Sequence, residues 1–215
     1  MTLAEQLRAG CDQLGLGLPA DQERLLLGYL ELLQKWNKVY NLTAIRDAEA
    51  MLTHHLLDSL SVVGPLRRHS KAQPIRLLDV GSGGGMPGVV IAICCPEVAV
   101  DCVDTVAKKA AFVQQVAAGL RLPNLRGVHA RVEAIAETYD VVCSRAFATL
   151  ADFTAWSRPA LAEQGTWMAM KGKRPDDEIA ALPTDVEVFH VEQITVPGLD
   201  ANRCIVWMRQ VPAGA

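Results

Sequence analysis

Hydrophobic and polar positions along the chain follow two different periods. From Pro19 the run LLLGYLELLQKWNKVYNL sets Leu26, Tyr29, Leu30, Leu33, Trp36 and Tyr40 at steps of three and four. That spacing predicts an amphipathic helix, entered through a cap at Asp21. After Asp47 a second stripe of Met51, Leu52, His55, Leu56, Ser59, Leu60 and Val63 predicts another helix, stopped by Gly64-Pro65. Beyond Arg67–Pro74, the one loose linker candidate, short apolar runs alternate with helical patterns of about 10–15 residues, the signature of parallel βαβ units. Strands are expected at Ile75–Val80, Val98–Val103, Leu125–His129, Tyr139–Ser144, Thr166–Met170, Val186–Glu192 and Cys204–Arg209. The expected fold is α/β: a mostly parallel seven-stranded sheet with helices on both faces. Residues 1–70 form a helical N-terminal extension and 71–215 the α/β core of a single domain, 1–215.

Length and composition agree with one core, since 215 residues with 50% hydrophobic and 21% charged positions describe a globular chain. No apolar run approaches the roughly 18–20 residues of a membrane span, and the opening MTLAEQLRAGCDQLG lacks an apolar leader segment. A cytoplasmic monomer without a membrane is expected. The six cysteines form no CxxC pair and sit mostly in apolar stretches, so buried reduced thiols are expected, with neither zinc nor disulfides. A formal net charge of −3 argues against nonspecific coating of nucleic acid.

The chemistry concentrates in LLDVGSGGGMPG, Leu77–Gly88, where five glycines fall among the eight positions 81–88 after a strand. Glycines at the carboxyl end of a parallel strand let a ligand lie on bare backbone, and a helix starting near Pro87 or Gly88 adds free N–H groups. A P-loop needs Gly-Lys-Ser/Thr, and no lysine follows before Lys108. Gly83–Gly88 does fit the dinucleotide pattern GxGxxG, while Asp79-x-Gly81-x-Gly83-x-Gly85 suits S-adenosylmethionine. Asp104, closing the second strand, can take ribose hydroxyls of either ligand.

A wider set of motifs separates these ligands. KWNKVYNLTAI (Lys35–Ile45), HHLLDSL (His54–Leu60), DVGSGGGMPG (Asp79–Gly88), DTVAKKAAFV (Asp104–Val113), ARVE (Ala130–Glu133), SRAFA (Ser144–Ala148) and MKG (Met170–Gly172) together closely resemble the small-subunit ribosomal RNA methyltransferase G family, also called glucose-inhibited division protein B. The resemblance covers essentially the whole chain. It implies a class I, Rossmann-like methyltransferase that uses S-adenosylmethionine to methylate N7 of guanine 527 in 16S rRNA of the small ribosomal subunit. It also implies cofactor contacts at Gly81, Met86, Val132, Glu133 and Arg145; leucine is frequent in the family where this chain has Met86. General methyltransferase geometry adds Asp79, Gly83 and Asp104.

The residues suit that chemistry. Guanine-N7 carries a lone pair and no proton, so no general base is required. The sequence after the fourth strand, CSRAF, holds neither the Asn/Asp-Pro-Pro-aromatic motif of amine methylation nor the Pro-Cys nucleophile of pyrimidine methylation, since Val142 precedes Cys143. Arg145 is expected to position cofactor or RNA, against the plainer alternative of a structural ion pair. Lys108, Lys109, Lys171, Lys173 and Arg174 follow strand ends and form a candidate RNA-binding rim, with Lys35, Lys38 and Arg46 extending it. Asp176-Asp177-Glu178 is assigned to the remote face. Trp36 and Tyr40 are read as core, Asn37 and Asn41 as ties for their helix end, and His54 and His55 as packing or bonded to Asp58, with no metal. Two rivals remain at this point: a nicotinamide-dependent oxidoreductase on Gly83–Gly88, which lacks an evident proton relay, and an RNA-binding assembly factor without turnover.

Overall fold

Strands form where the short apolar runs lie. The computed structural model describes residues 1–211, so the last four residues of the expected 1–215 domain lie outside the described residues. Strands β1 (Ile75–Val80), β2 (Val98–Asp104), β3 (Leu125–His129), β4 (Tyr139–Arg145), β5 (Leu161–Lys171), β6 (Val186–Ile194) and β7 (Arg203–Gln210) make one sheet in the order β3-β2-β1-β4-β5-β7-β6. β1 to β5 are parallel, whereas β7 runs antiparallel to both its neighbours. The chain moves outward from β1 to β3 and then returns to β4 on the other side of β1. This reversal opens a crevice beyond the carboxyl ends of β1 and β4. β5 starts earlier than its apolar run suggests, because Leu161 pairs with Tyr139 across a bulge.

Alternating strand residues feed two cores. Leu77, Cys102, Val141 and Met168 face α6 (Gly88–Cys94), α7 (Ala107–Gly119) and the N-terminal helices, while Leu78, Val103, Val142 and Trp167 pack with α8 (Leu150–Ser157) on the other face. The continuously apolar strands follow from that double coverage. All six cysteines are free and buried.

The N-terminal region departs from its sequence reading in three places. α1 (Leu3–Gln13) carries a capping box, Thr2 Oγ1 accepting from the Glu5 N–H at 3.2 Å and Glu5 Oε2 from the Thr2 N–H at 2.7 Å, a signal the hydrophobic stripes do not contain. α2 (Ala20–Tyr40) begins after Pro19, and Asp21 lies inside its first turn without capping it; there its charge only complements the helix dipole. The stripe after Asp47 becomes α3 (Ala48–Met51), a π-helical stretch at Leu52–Leu57 and α4 (Asp58–Leu60), and Gly64-Pro65 then opens α5 (Val63–Ser70) rather than stopping a helix. Proline lacks only an N–H that the first turn leaves unpaired anyway. Most of the expected linker is therefore helix, and 71–74 alone joins α5 to β1.

Candidate functional site

The loop after β1 stands at the switch point. The N–H groups of Gly81 and Ser82 donate to the Val103 carbonyl at 2.9 and 3.2 Å, which pins the loop to β2. Gly81 has φ +66°, and a Cβ there would run into the ring of Phe147. Only glycine satisfies both constraints. The Asp79 carboxylate is fully buried, with Oδ2 accepting from the Gly88 N–H at 2.8 Å, and its strand neighbours in register are Cys102 and Cys143. Burial raises its pKa to about 7, with the Gly88 N–H pulling the other way. A Cβ on Gly88 would meet Cys102 Sγ, so α6 sits directly on the strands. Asp79 thus holds the first N–H of α6, which is therefore not a free N–H, and Asp79 lines neither of the two cavities described below.

A cavity of about 370 Å³ opens beside the loop, lined by Gly81, Asp104, Val132, Glu133, Phe147 and Trp156 among others. This volume suits a nucleoside-sized ligand. Asp104 is braced on its wall: Oδ2 accepts from the Gly83 N–H at 3.0 Å, Oδ1 from the Val106 N–H at 2.9 Å, and Lys109 Nζ lies 3.7 Å away. Val132 and Glu133 belong to a 3₁₀ turn, Val132–Ala134, and the Glu133 carboxylate pairs with Arg131 at 3.0 Å, which lowers its pKa. Gly83 and Met86 stay off this wall, Gly83 acting through Asp104. Phe147 and Trp156, edge to face at 5.9 Å, supply an apolar side that sequence reasoning missed as a site. Phe147 stood inside SRAFA; nothing local to Trp156 signals it.

Arg145, closing β4, faces a second cavity of about 460 Å³ with Ile45, His54, Asp58, Met170 and Arg203. Its Nη1 donates to Asp58 Oδ2 at 2.8 Å and to the His54 carbonyl at 3.2 Å, and its Nη2 to Met86 Sδ at 3.3 Å. Arg203 Nε donates to the other Asp58 oxygen at 2.7 Å. Of the two roles expected for the histidines, packing holds for the buried His55, whose Nε2 pairs with Thr43 Oγ1 at 2.7 Å, while the bond to Asp58 is taken by the two guanidiniums. Burial, then the Arg145 charge, pushes His55 down to about 4, so the ring is neutral at pH 7. Ala146 lies on the walls of both cavities at φ +51°, a conformation unfavourable for a non-glycine residue that such sites tend to retain.

The basic rim is only partly free. Lys108 and Lys173 are exposed and make no ion pair among the described residues, Lys109 lies beside Asp104, and Arg174 pairs with Asp176 at 2.7 Å. Lys171 Nζ contacts Glu178 at 2.8 Å and the Ala148 carbonyl at 3.0 Å. The acidic cluster lies on α9 (Asp176–Ala180), a few residues after β5, and its Glu178 reaches the cavity-lining Lys171 rather than lying on the remote face. Glu178 also accepts the Leu150 N–H at 2.7 Å, anchoring the start of α8. Asn37 ties the end of α2, taking the Thr43 N–H at 2.8 Å and donating to the Ile45 carbonyl at 3.0 Å, and Asn41 caps it in a left-handed conformation. Trp36 packs on Phe112 at 5.5 Å; Tyr40, tilted against Trp36 at 5.0 Å, is 40% exposed and so is not core.

Comparison with known proteins adds an independent line. The family model described as rRNA small subunit methyltransferase G matches residues 22–206. The chain is 68% identical over 213 residues to the ribosomal RNA small subunit methyltransferase G of Acidovorax sp. (strain JS42), covering 95% of this chain and 94% of that one. It is 65% identical to the protein of the same name from Polaromonas sp. (strain JS666 / ATCC BAA-500), covering 98% and 95%. Among solved structures, a MtNAS mutant in complex with S-adenosylmethionine aligns with TM-score 0.62 at 13% identity, over 88% of this chain and 73% of that one. TrmN from Thermus thermophilus aligns with TM-score 0.56 at 18% identity, over 70% and 48%. The structural likenesses carry the fold, and the close relatives carry the family.

Proposed function

The chain belongs to the rRNA small subunit methyltransferase G family, and from that premise we propose how its two cavities divide the work. The activity is S-adenosylmethionine-dependent methylation of N7 of guanine 527 in 16S rRNA. When bound, S-adenosylmethionine would supply a methyl group on a sulfonium to the N7 lone pair, with S-adenosylhomocysteine as the leaving group.

The first cavity holds the cofactor. Asp104, braced by two N–H groups, takes ribose hydroxyls; Gly81 gives close backbone approach; the turn at Val132 and Glu133 reads the adenine edge. Asp79 and Gly83 support this wall from behind, Asp79 through the start of α6 and Gly83 through Asp104, while Met86 packs against Arg145 beside the second cavity. The second cavity receives the guanine. No residue there needs to remove a proton, because N7 bears none, so the protein contributes mainly by alignment. Arg145 positions the reacting partners, and Lys108, Lys109, Lys171, Lys173 and Arg174 border the path of the RNA, with Lys108 and Lys173 free for phosphates.

The observation that carries this reading is the shared wall at Ala146, which makes the two cavities neighbours at the switch point. We take the substrate to be the small ribosomal subunit and the enzyme to be a cytoplasmic, single-domain monomer; no helix among the described residues is long and apolar enough to cross a membrane. The test is transfer from labelled S-adenosylmethionine to small subunits, and to naked RNA, from cells lacking this protein. Chemical cleavage at 7-methylguanine then maps the product. One cleavage at guanine 527 is expected, better on one substrate than the other. Label elsewhere, or none, overturns the reading.

A further inference from the structure

Three charged side chains meet at the floor of the second cavity, and only one of them comes from a motif with an expected site role. Asp58 is 3% exposed, yet it faces two arginines from distant strands, Arg145 at the end of β4 and Arg203 at the start of β7. Each carboxylate oxygen takes one guanidinium. The π-helical stretch immediately before Asp58 widens that helix by a fraction of a turn, an irregularity that often marks a working site. Arg203 Nη1 is bound to the Asn202 carbonyl at 2.9 Å, and its Nη2 has no partner among the described residues. What reaches the cavity from this trio is therefore hydrogen-bond donors, with the acceptor turned between them.

That polarity discriminates between purines. The edge of guanine that carries N7 also carries O6, an acceptor, whereas adenine places an amino donor at the same spot. The arginine donors of this floor reward O6 and oppose the adenine amino group, while Ile45 and Met170 offer apolar walls for the ring. Charge fits as well. Methylated guanine is a cation, which two bare arginines would oppose; with Asp58 between them the trio carries one net positive charge instead of two.

We propose that Asp58 is a positioning residue that fixes Arg145 and Arg203 as a donor seat for O6 of the target guanine, and so sets base specificity. The proposal rests on the second cavity being the guanine site. It is distinct from cofactor binding, because Asp58 and Arg203 do not line the first cavity.

The test uses small subunits reconstituted with 16S rRNA carrying either guanine or 2-aminopurine at position 527. The analogue keeps N7 and lacks O6. Wild-type enzyme is expected to lose about tenfold or more in kcat/KM on the analogue, in line with the worth of a specific base contact. The Asp58→Asn variant should lose about as much on guanine, become nearly indifferent to removal of O6, and bind S-adenosylhomocysteine within about twofold of wild type. Comparing ratios between enzymes cancels the intrinsic reactivity of the two bases. Full discrimination retained by Asp58→Asn overturns the proposal, as does a wild-type enzyme that ignores the loss of O6. If Asp58→Asn does not fold, Arg203→Gln and the wild-type ratio decide in the same way. A wild-type enzyme that labels no guanine-containing subunit is a different failure, that of the functional reading itself, and is seen in the control before any variant is measured.

Discussion

The two cavities are built in opposite ways. The first is made largely of main chain and strand ends: the bare backbone of Gly81, N–H groups that brace Asp104, and a turn at Val132. The second is made of side chains collected from Ile45, His54, Asp58, Arg145 and Arg203, which are far apart in sequence. A site made of backbone must announce itself locally, because glycines are required where the chain approaches a ligand. One made of side chains exists only after the sheet order has brought its members together.

Substitutions can break this comparison, and the largest effect is expected at Gly81. Gly81→Val places a side chain against the Phe147 ring at a positive φ, and affinity for S-adenosylhomocysteine should fall about a hundredfold by calorimetry. Unchanged affinity would mean that the first cavity does not depend on bare backbone. Asp79, under the same loop, gives a pH signature. Its folded pKa of about 7 lies above the ordinary 3.8, so the native state keeps a proton that the unfolded chain has lost, and this contribution to stability declines as pH rises from 4 to 7. His55 acts in the other direction, since its pKa of about 4 lies below 6.5 and its contribution is lost as pH falls from 6.5 to 4. Urea unfolding at pH 5 and pH 8 should therefore show the Asp79→Asn variant gaining about 3 kcal/mol on wild type at the higher pH, the two units between pH 5 and the folded pKa counting roughly 1.4 kcal/mol each. An equal difference at both values would place the folded Asp79 pKa at or below about 5.

In the second cavity, Arg203→Ala should lower methyl transfer to small subunits about tenfold while leaving cofactor affinity within about twofold. A matching loss of cofactor affinity would merge the two sites into one. The smallest change is expected at the rim, where Lys108→Ala should raise KM for subunits about threefold and reduce its salt dependence by about one phosphate contact. No salt effect would return Lys108 to ordinary surface.

Much of the fold was legible for the same reason as the first cavity. All seven strands overlap the runs that predict them, and the central β1 and β4 are largely apolar because helices cover both faces of the sheet there, whereas β6 at the sheet edge keeps only Val186 buried. Ends were less visible: Gly64-Pro65 reads as a stop by composition, yet serves as a first turn because the preceding helix has already ended at Leu60. Asp79 stands in the glycine motif, and its bond to the first N–H of α6 becomes visible only once that helix is seen to start at Gly88. The pairing of Asp58 with Arg203 spans β7 and the helical extension and left no local trace at either residue. A remote face does not hold for Glu178, because a five-residue helix soon after β5 leaves it within reach of Lys171 at the strand end.

The six buried thiols turn the protein into its own unfolding gauge. Burial raises the pKa of Cys11, Cys94, Cys95, Cys102, Cys143 and Cys204, so in the native state none is both accessible and ionised enough to meet an electrophile. A thiol reagent can react only when a region opens. Cys11 reports on the first helix, Cys94 and Cys95 on the end of α6, Cys102 and Cys143 on the strands beneath the glycine loop, and Cys204 on β7. The order in which mass spectrometry finds them labelled is the order in which the molecule comes apart, read without introducing a single foreign probe.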